Sequence, residues 1–535
     1  MSYKFGRGFR NLMHSIRCGH STTPASPVAT SPTLVPSDFD TSKLDAKPSK
    51  TCQKKFRRAF RKALRMLIPK NSKSKHVATS SKAAPPENPA QPSISARIAA
   101  WSGEVNFGPV LKIPDSAVVE LALDLASTSS HIPKNILADG SDIRVIAKAR
   151  GQNNQVFIVQ YREDLKICVR VPACGWEGAW TDKDAEALHT QVRTMQYIKR
   201  NTKCPIPEIV HYDTTFNNAI SAPHVVMAYV EGRPVEDMWY DESGPLPLEE
   251  KRQNILRSLA HGVAELRSLN FDKMGALTFT SDTDENPVPG KFHVLNFGAS
   301  RTPSFMEFAE EVDREPLTSS ETYLRNRLED WKHELTESES NPRSGVFRRP
   351  EDQGTYRFFS MLIEEMPIPK EGEEKFVLAP PDFDWQNILA DGYGNVTAIL
   401  DWDRVETTAG WLGWAAFPEF LVWDWEPEGY YVWPHWNPNT MSPAQYDKYR
   451  DDYAHYIKEA CPEGEDGGNT AKSHIYNQLT LSIGFTSRME GILERILATA
   501  IPRVDAKLMR QYVGEKCLTP AQEAEIRQAF RKLMS

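Results

Sequence analysis

The sequence predicts an α+β fold in two parts, a β-rich part followed by a mainly helical one. Three short apolar runs separated by turn residues lie between residues 143 and 171, which is the pattern of neighbouring strands. From residue 248 onwards most apolar residues recur at helical spacing instead. Residues 1–98 are rich in Ser, Thr, Pro and Lys, so we predict that they form a disordered basic arm before the folded body.

The arm differs in charge from the rest of the chain. Residues 1–100 contain 19 Lys and Arg against 4 Asp and Glu, in a chain whose net charge is −7. Two amphipathic segments lie within it, at 1–17 and 54–70. The first suits a mitochondrial transit peptide, a helix lying on an anionic membrane surface, or a disordered tail. The second suits a membrane-surface or calmodulin-type helix, or a nuclear-localisation or polyanion-binding segment. We expect no specific nucleic-acid partner.

The cysteines and the apolar runs limit the class of protein. Seven cysteines are scattered along the chain without a Cys-x-x-Cys pair or a His/Cys metal spacing. Such a set indicates reduced thiols in an intracellular compartment. No apolar run approaches the ~20 residues that a membrane-spanning helix needs, and no secretory signal follows Met1. We therefore expect a soluble or membrane-peripheral protein of the cytoplasm or of mitochondria.

The β-rich part carries two candidate phosphate contacts. We predict a helix at 117–125, strands at 143–149, 155–161 and 166–171, and a helix at 183–199. The loop before the second strand contains Gly151 and Asn154, and small or polar residues let backbone amides approach phosphates. A single glycine also suits an ordinary hairpin turn. Arg170 on the third strand suits a phosphate contact or an exposed strand cation.

The second part is predicted from helical spacing. We expect helices at 248–269, 320–335, 443–459, 473–500 and 520–533. Thr519 is the expected N-cap of the last one, because Pro520 follows it. Residues 281–350 are mostly polar and are expected to form an insertion close to an acceptor pocket. Seven Trp residues lie between positions 402 and 436, and we interpret them as core side chains rather than ligand-stacking ones.

The clearest chemical pattern lies in residues 376–401. Asp382 is followed five residues later by Asn387, then by two short apolar runs around a Gly/Asn turn, and by Asp401 at the end of the second run. Phosphoryl transfer from ATP requires a hydroxyl in line with the γ-phosphoryl group, and Mg²⁺ on the triphosphate. Asp382 would accept the hydroxyl proton, and the oxygens of Asn387 and Asp401 would hold the metal.

These residues resemble the aminoglycoside phosphotransferase-like family of kinase-fold small-molecule phosphotransferases, above all its fungal members. The match consists of Pro381-Asp382-Phe383-Asp384, Asn387-Ile388-Leu389, Asp401-Trp402, Gly151, Asn154, Val156, Phe157 and Arg170-Val171-Pro172. The resemblance spans roughly residues 140–440. It implies a protein-kinase-like two-lobed fold, with a β-rich N-lobe and hinge at 99–230 and a helical C-lobe with the catalytic loop at 231–535. It also implies ATP and Mg²⁺.

The resemblance implies further site residues. Gly151 and Asn154 would cover the nucleotide phosphates, and Arg170 would contact them. Met227 and Tyr229 lie at the hinge, whose backbone binds adenine in kinase folds. On spacing alone Met227 is an equally good core residue, because Met fills gaps.

Two positions depart from the family pattern. Pro380 stands where the family has a His that braces the metal-binding Asp through the catalytic loop. Gln191 stands where it has an acid on the helix that orients the strand cation, and Gln can hydrogen-bond Arg170 but cannot neutralise it. The sequence thus predicts a phosphotransferase that acts on a hydroxyl of an unidentified small molecule. The alternative is a catalytically degenerate binding or scaffold protein of kinase fold.

Overall fold

The computed structural model describes residues 107–134, 136, 143–151, 153–281, 286–296, 310–337, 349–370, 372–426, 440–462 and 468–535. The predictions for the basic arm, residues 1–98, lie outside these ranges. Within them the predicted α+β fold is confirmed, with an antiparallel sheet first and most of the helices later. In this part of the chain, no helix has the length and apolar content to cross a bilayer.

A five-stranded antiparallel sheet forms the N-terminal lobe, in the order β1-β2-β3-β5-β4. Its elements are α1 (Asp115–Thr128), β1 (Arg144–Arg150), β2 (Asn154–Arg162), β3 (Leu165–Pro172), α2 (Asp182–Asn201), β4 (Ile209–Asp213) and β5 (His224–Ala228). The strands form because buried and more exposed side chains alternate, as in β2. The helices and strands predicted in this region are confirmed, each end to within three residues.

Two buried clusters form the core. In the first, α1 packs on the sheet, and the Tyr161 hydroxyl on β2 donates to the carbonyl of Ala122 at 2.7 Å. The second cluster contains the helices of the C-terminal lobe together with the buried side of α2, including Val192 and Ile198. The helix α2 therefore connects the sheet to the second lobe by packing as well as by sequence.

The C-terminal lobe combines helices with short strands. Its elements are β6 (Arg233–Pro234), α3 (Val235–Met238), α4 (Leu248–Ala264), β7 (Asn270–Phe271), β8 (Gly275–Thr278), β9 (Val288–Pro289), β10 (Phe292–Asn296), β11 (Glu310–Arg314), α5 (Ser320–Glu337), α6 (Pro350–Glu365), β12 (Phe376–Leu378), β13 (Ile388–Ala390), β14 (Val396–Ile399), β15 (Glu406–Ala409), α7 (Pro443–Ala460), α8 (Ser473–Ser482), α9 (Thr486–Ala500), α10 (Ala506–Gly514) and α11 (Pro520–Met534). Three small sheets have the orders β7-β12-β15-β8-β9, β10-β11 and β14-β13-β6.

This lobe also shows where the sequence predictions were incomplete. The single helix expected at 473–500 is two helices, α8 and α9, with Gly484 between them at φ +101°. A left-handed residue ends a helix, which is why the chain breaks there. The strands β10 and β11 lie inside the stretch expected to be an insertion. Thr519 is confirmed as the N-cap of α11, in a capping box with Gln522.

Most of the Trp-rich segment belongs to the core. Trp402 is fully buried, and Trp411, Trp414 and Trp425 are no more than 6% exposed. The interpretation as core is therefore confirmed for these four. Trp433 and Trp436 lie outside the described residues.

Candidate functional site

The β13–β14 hairpin brings two of the candidate site residues together. Ile388 on β13 lies opposite Ile399 on β14, and one residue further out the N–H of Leu400 donates to the carbonyl of Asn387 at 2.7 Å. Asn387 precedes the first strand and Asp401 follows the second closely. The two side chains therefore start from the same end of the hairpin.

Asp382 is held in place by the loop that leads into this hairpin. The Asn387 side-chain amide donates to the Asp382 carboxylate at 2.8 Å and to its backbone carbonyl at 3.0 Å. A second amide, from Gln386, donates to the same carboxylate oxygen at 3.3 Å. The buried Phe383 anchors the loop, since its carbonyl accepts the N–H of Glu419 at 2.7 Å. Asp382 thus keeps a fixed position with its side chain partly exposed.

The chain turns sharply after β14. Asp401 has a left-handed backbone, with φ +60°, and Arg404 has φ +56°. Such values are uncommon outside glycine and are held here by the surroundings. Trp402 between them is fully buried, and its Nε1–H donates to the carbonyl of Ile399 at 2.9 Å. With Trp402 fixed in the core, Asp401 and Asp403 both lie towards the N-terminal lobe.

Arg170 crosses from that lobe to both carboxylates. It lies on β3, between Val156 of β2 and Val225 of β5. Its Nη2 lies 2.6 Å from Asp401 Oδ1, and its Nη1 lies 2.7 Å from Asp403 Oδ1. A further hydrogen bond of 2.9 Å joins Nη2 to Asp403 Oδ2. The side chain is only 13% exposed, so the interpretation of Arg170 as an exposed strand cation is wrong.

The pKa values of this cluster reflect burial and mutual attraction. Burial alone would lower the pKa of Arg170, but the charges of Asp403 and Asp401 outweigh it, and the pKa lies above its ordinary value. Burial raises the pKa of Asp403, the charge of Arg170 opposes that rise, and the charge of Asp401 adds to it. Two carboxylates share one guanidinium, so the cluster favours an additional cation.

The side chains at the hairpin end are suited to Mg²⁺. The Oδ2 of Asp401 makes no hydrogen bond to any described residue, and its side chain is 32% exposed. Because the amide nitrogen of Asn387 donates to Asp382, its oxygen faces away from that carboxylate, and no described residue donates to it. Mg²⁺ in nucleotide sites takes one or two protein oxygens and completes its shell with phosphates and water. One carboxylate and one amide oxygen fit that requirement.

The predicted phosphate-covering loop connects β1 and β2. The N–H of Gly151 donates to the carbonyl of Asn154 at 2.9 Å. The hydrogen-bond network orients the Asn154 amide with its oxygen towards Arg170, 3.2 Å from Nε. Asn154 therefore joins the same cluster, whereas Gly151 remains exposed on the turn.

The two hinge residues have different surroundings. Met227 on β5 is half-buried and packs against the second cluster, so it contributes to the core. The N–H of Tyr229 donates to the carbonyl of Lys166 at 3.2 Å, and the Lys166 ammonium lies 5.1 Å from the Tyr229 ring centre. The backbone N–H of Tyr229 is therefore already bonded to β3.

The two positions that depart from the family pattern are both buried. Gln191 on α2 is 6% exposed, and no hydrogen bond joins it to Arg170 among the described residues. The charged partners of Arg170 come from beyond β14 instead. Pro380 is buried and has no polar side-chain group. Asp403 was not among the predicted site residues, although its place two positions after Asp401 could have indicated it.

The part of the chain that carries this site is similar to known proteins. Residues 144–409 match the model of the phosphotransferase enzyme family. A subtelomeric hrmA-associated cluster protein of Aspergillus fumigatus is 29% identical over 143 residues, which are 26% of this chain and 26% of that protein. Altered inheritance of mitochondria protein 9 of Meyerozyma guilliermondii is 24% identical over 161 residues, 29% of this chain and 26% of that protein. The match thus spans about a quarter of each of these curated relatives.

Solved structures of phosphotransferases align with most of the chain at low identity. Aminoglycoside phosphotransferase APH(4)-Ia is 12% identical with a TM-score of 0.36, over 76% of this chain and 99% of that one. Macrolide 2'-phosphotransferase type I is 10% identical with a TM-score of 0.34, over 65% and 89%. The matched range 144–409 contains every residue of the cluster, from Asn154 to Asp403. Over that range the chain is similar to the phosphotransferase enzyme family.

Proposed function

We propose that this protein transfers the γ-phosphoryl group of ATP, in a Mg²⁺-dependent reaction, to a hydroxyl group of a small molecule. One observation carries the proposal. Asp382, Asn387, Asp401 and Arg170 form a connected set, through the 2.8 Å bond between Asn387 and Asp382, the hairpin, and the 2.6 Å pair of Arg170 with Asp401. Proton acceptor, metal oxygens and phosphate cation are the groups that this chemistry requires.

Each side chain has a role in the proposal. Asp382 accepts the proton of the acceptor hydroxyl, and the amides of Asn387 and Gln386 keep its carboxylate oriented. Asn387 and Asp401 would bind Mg²⁺, which supplies positive charge to the phosphates when present. Arg170 adds a cation from the N-terminal lobe, and its planar group suits phosphate oxygens.

The substitution Asp382→Asn tests the proposal. It keeps the size of the side chain and removes the proton acceptor, so we expect the rate of phosphoryl transfer to fall on the order of a hundredfold or more. Transfer from γ-labelled ATP is measured against a panel of hydroxyl compounds that includes amino sugars and macrolides, with ADP release recorded in parallel. Equal transfer by both proteins would contradict the assigned role of Asp382.

The alternative is a kinase-fold binding protein without turnover. The buried Pro380, which cannot brace a carboxylate, and the absence of a described bond between Gln191 and Arg170 favour it. The two proposals differ in one outcome. A binding protein would take up ATP and yet show no transfer above the level of Asp382→Asn with any acceptor.

We also propose a mitochondrial location. The curated relatives from Meyerozyma guilliermondii and Debaryomyces hansenii are named as mitochondrial proteins. The basic amphipathic start of the chain suits an import signal. Fluorescent fusions of the full chain and of the chain lacking residues 1–75 test this. Identical distribution of both would exclude the arm as an address, and binding of the full chain to anionic vesicles would favour a membrane-surface role instead.

A further inference from the structure

We propose that Asp403 is the positioning residue for Arg170. It takes the role that the family pattern gives to an acid on α2, which is to orient this cation. This inference rests on the proposed phosphotransferase function, because it assigns Arg170 to the phosphates. It concerns how the guanidinium stays in place while Asp401 binds the metal.

The two carboxylates hold Arg170 in different ways. Asp403 accepts two hydrogen bonds from the guanidinium, from Nη1 to Oδ1 at 2.7 Å and from Nη2 to Oδ2 at 2.9 Å. Asp401 takes one contact, from Nη2 to Oδ1 at 2.6 Å. A two-point contact fixes the plane and the direction of a guanidinium, whereas a one-point contact leaves it free to swing. Asp403 therefore sets the orientation of Arg170.

The position of Asp403 is itself rigid. Trp402 before it is fully buried and bonded to Ile399, and the N–H of Val405 after it donates to the carbonyl of Trp402 at 3.3 Å. The left-handed conformation of Arg404 completes a tight turn. A carboxylate on such a turn keeps its place, since its neighbours cannot move without exposing core.

The arrangement separates two tasks that one carboxylate could not perform together. Asp401 is the candidate metal ligand, and its contact with Arg170 competes with the metal for the same negative charge. Asp403 has no place in the proposed metal site. When Asp401 contacts a cation, Asp403 still neutralises and aims Arg170, with the Asn154 oxygen 3.2 Å from Nε as a further support.

The helix α2 does not supply this support. Gln191 stands where the family pattern has an acid, carries no charge, and makes no hydrogen bond to Arg170 among the described residues. Arg170 and Asp403 are 233 residues apart and join the two lobes. The rival explanation is that the ion pair between Arg170 and Asp403 only holds the two lobes together. The test must distinguish this structural role from the positioning of Arg170.

The test is a double-mutant cycle on the full-length protein with Asp403→Asn and Arg170→Gln. ATP affinity is measured by calorimetry over a range of Mg²⁺ concentrations and in EDTA. We expect Asp403→Asn to weaken ATP binding about tenfold and to raise the Mg²⁺ concentration for half-maximal binding, because Arg170 then depends on Asp401 alone. In the Arg170→Gln background we expect the same change to alter affinity by less than about twofold.

Two further variants control for loss of folding and for the general effect of removing a negative charge. Asp403→Glu keeps the carboxylate and should recover part of the lost affinity. Asp241→Asn is the matched control, because the Asp241 side chain has the same 22% exposure as Asp403 and pairs with Arg233 at 2.7 Å. It should leave the Mg²⁺ requirement unchanged. Melting temperatures of all proteins without nucleotide give a readout that needs no ligand.

The outcomes separate the inference from the function on which it rests. If the wild type binds ATP and Asp403→Asn lowers the melting temperature but leaves ATP affinity and the Mg²⁺ requirement unchanged, the ion pair only holds the lobes together. The inference is then wrong, while the proposed function stands. Additive effects of the two substitutions on affinity would also overturn it, because Asp403 would then not act through Arg170. If the wild type does not bind ATP, the proposed function falls. The melting temperatures of the two single variants and the double variant then show whether Asp403 interacts with Arg170. Additive shifts in melting temperature would overturn this interaction as well.

Discussion

In the proposed function, Asn387 performs two tasks with one side chain. Its amide nitrogen donates to the carboxylate of Asp382, which leaves its amide oxygen facing away from that carboxylate. Because an amide has a donor end and an acceptor end, fixing the nitrogen fixes the oxygen as well. In the proposed function, a single residue thus couples the orientation of the proposed proton acceptor to the geometry of the proposed metal site.

Replacing Asn387 by Leu should impair both tasks without changing the size of the side chain much. We expect the Mg²⁺-dependent part of ATP affinity to fall on the order of tenfold to a hundredfold, measured by calorimetry. Asn395→Ala is the matched control, because Asn395 makes a similar bond of 3.0 Å to Asp391 at the far end of the same hairpin. If both variants lose affinity equally, the hairpin rather than the oxygen of Asn387 is responsible.

The sequence indicated most of the residues that the structure brings together here, because their types and spacing fit the proposed chemistry. Asp382, Asn387 and Asp401 needed only the hairpin pattern between them. The partner of Arg170 could not be predicted in this way. The family pattern pointed to α2, and the sharp turn at Asp401 that directs Asp403 to β3 depends on a left-handed backbone that the sequence does not reveal.

At the level of elements, the β13–β14 hairpin is the platform of the site, and α4 supports it. The hydroxyl of Ser258 on α4 accepts the N–H of Val396 at 2.9 Å, and Asn254 donates to the carbonyl of Tyr393 at 3.0 Å. The turn between the strands needs Gly394, whose φ is +87°. A Cβ there would lie 2.5 Å from the carbonyl oxygen of Lys251.

Gly394→Ala should therefore destabilise the protein by about 1–3 kcal/mol. The left-handed backbone and the contact with Lys251 both oppose a side chain at this position. Denaturant unfolding measures the effect. Gly392→Ala in the same turn is the control, since a Cβ there would be 4.0 Å from its nearest neighbour, Pro245, and it should cost much less. If both variants lost the same unfolding free energy, the conformation of the turn would determine stability, and not its contact with Lys251 on α4.

The strand β5 carries a buried histidine. His224 is fully buried, its Nδ1–H donates to the carbonyl of Ala222 at 2.9 Å, and its ring lies 5.7 Å from that of His211. Burial lowers the pKa of His224 below its ordinary value of 6.5, the bond to Ala222 opposes the shift, and the charge of His211 adds to it. The unfolded chain therefore takes up this proton more readily than the folded protein.

The unfolding free energy should accordingly fall as the pH drops from 7 to 5. His224→Leu should make this decline shallower, while the remainder comes from other groups, including His211, whose pKa burial also lowers. Denaturant unfolding across this pH range measures the slope. At pH 8 the histidine is neutral in both states, so there the effect of the substitution should no longer depend on pH. An unchanged slope between pH 7 and 5 would exclude His224 as a source.

Long periodic elements were predictable and short ones were not. α2 and α11 have the spacing and the caps that define a helix, and their bounds were predicted closely. β7 and β9 have two residues each, too few for any alternation to show. Such strands form because a neighbouring strand is already in place, which is a tertiary effect.

At the scale of the whole molecule, the cluster lies where the two lobes meet. Arg170 and Asn154 come from the sheet of the first lobe, and Asp382, Asn387, Asp401 and Asp403 come from the second. The hairpin is also tied to the segment after α2, because the N–H of Ile399 donates to the carbonyl of Pro205 at 2.6 Å. The lobes therefore meet at the C-terminal end of β14, and a nucleotide between them would contact residues of each.

Calorimetry of ATP binding by the full-length protein and by Asp401→Ala, with and without Mg²⁺, tests the central claim most directly. We expect the wild type to bind ATP more tightly with Mg²⁺, and Asp401→Ala to lose that gain, on the order of tenfold or more, because the carboxylate holds the metal on the phosphates. Absence of ATP binding in both proteins, or a gain from Mg²⁺ that survives in Asp401→Ala, would contradict the proposed nucleotide site.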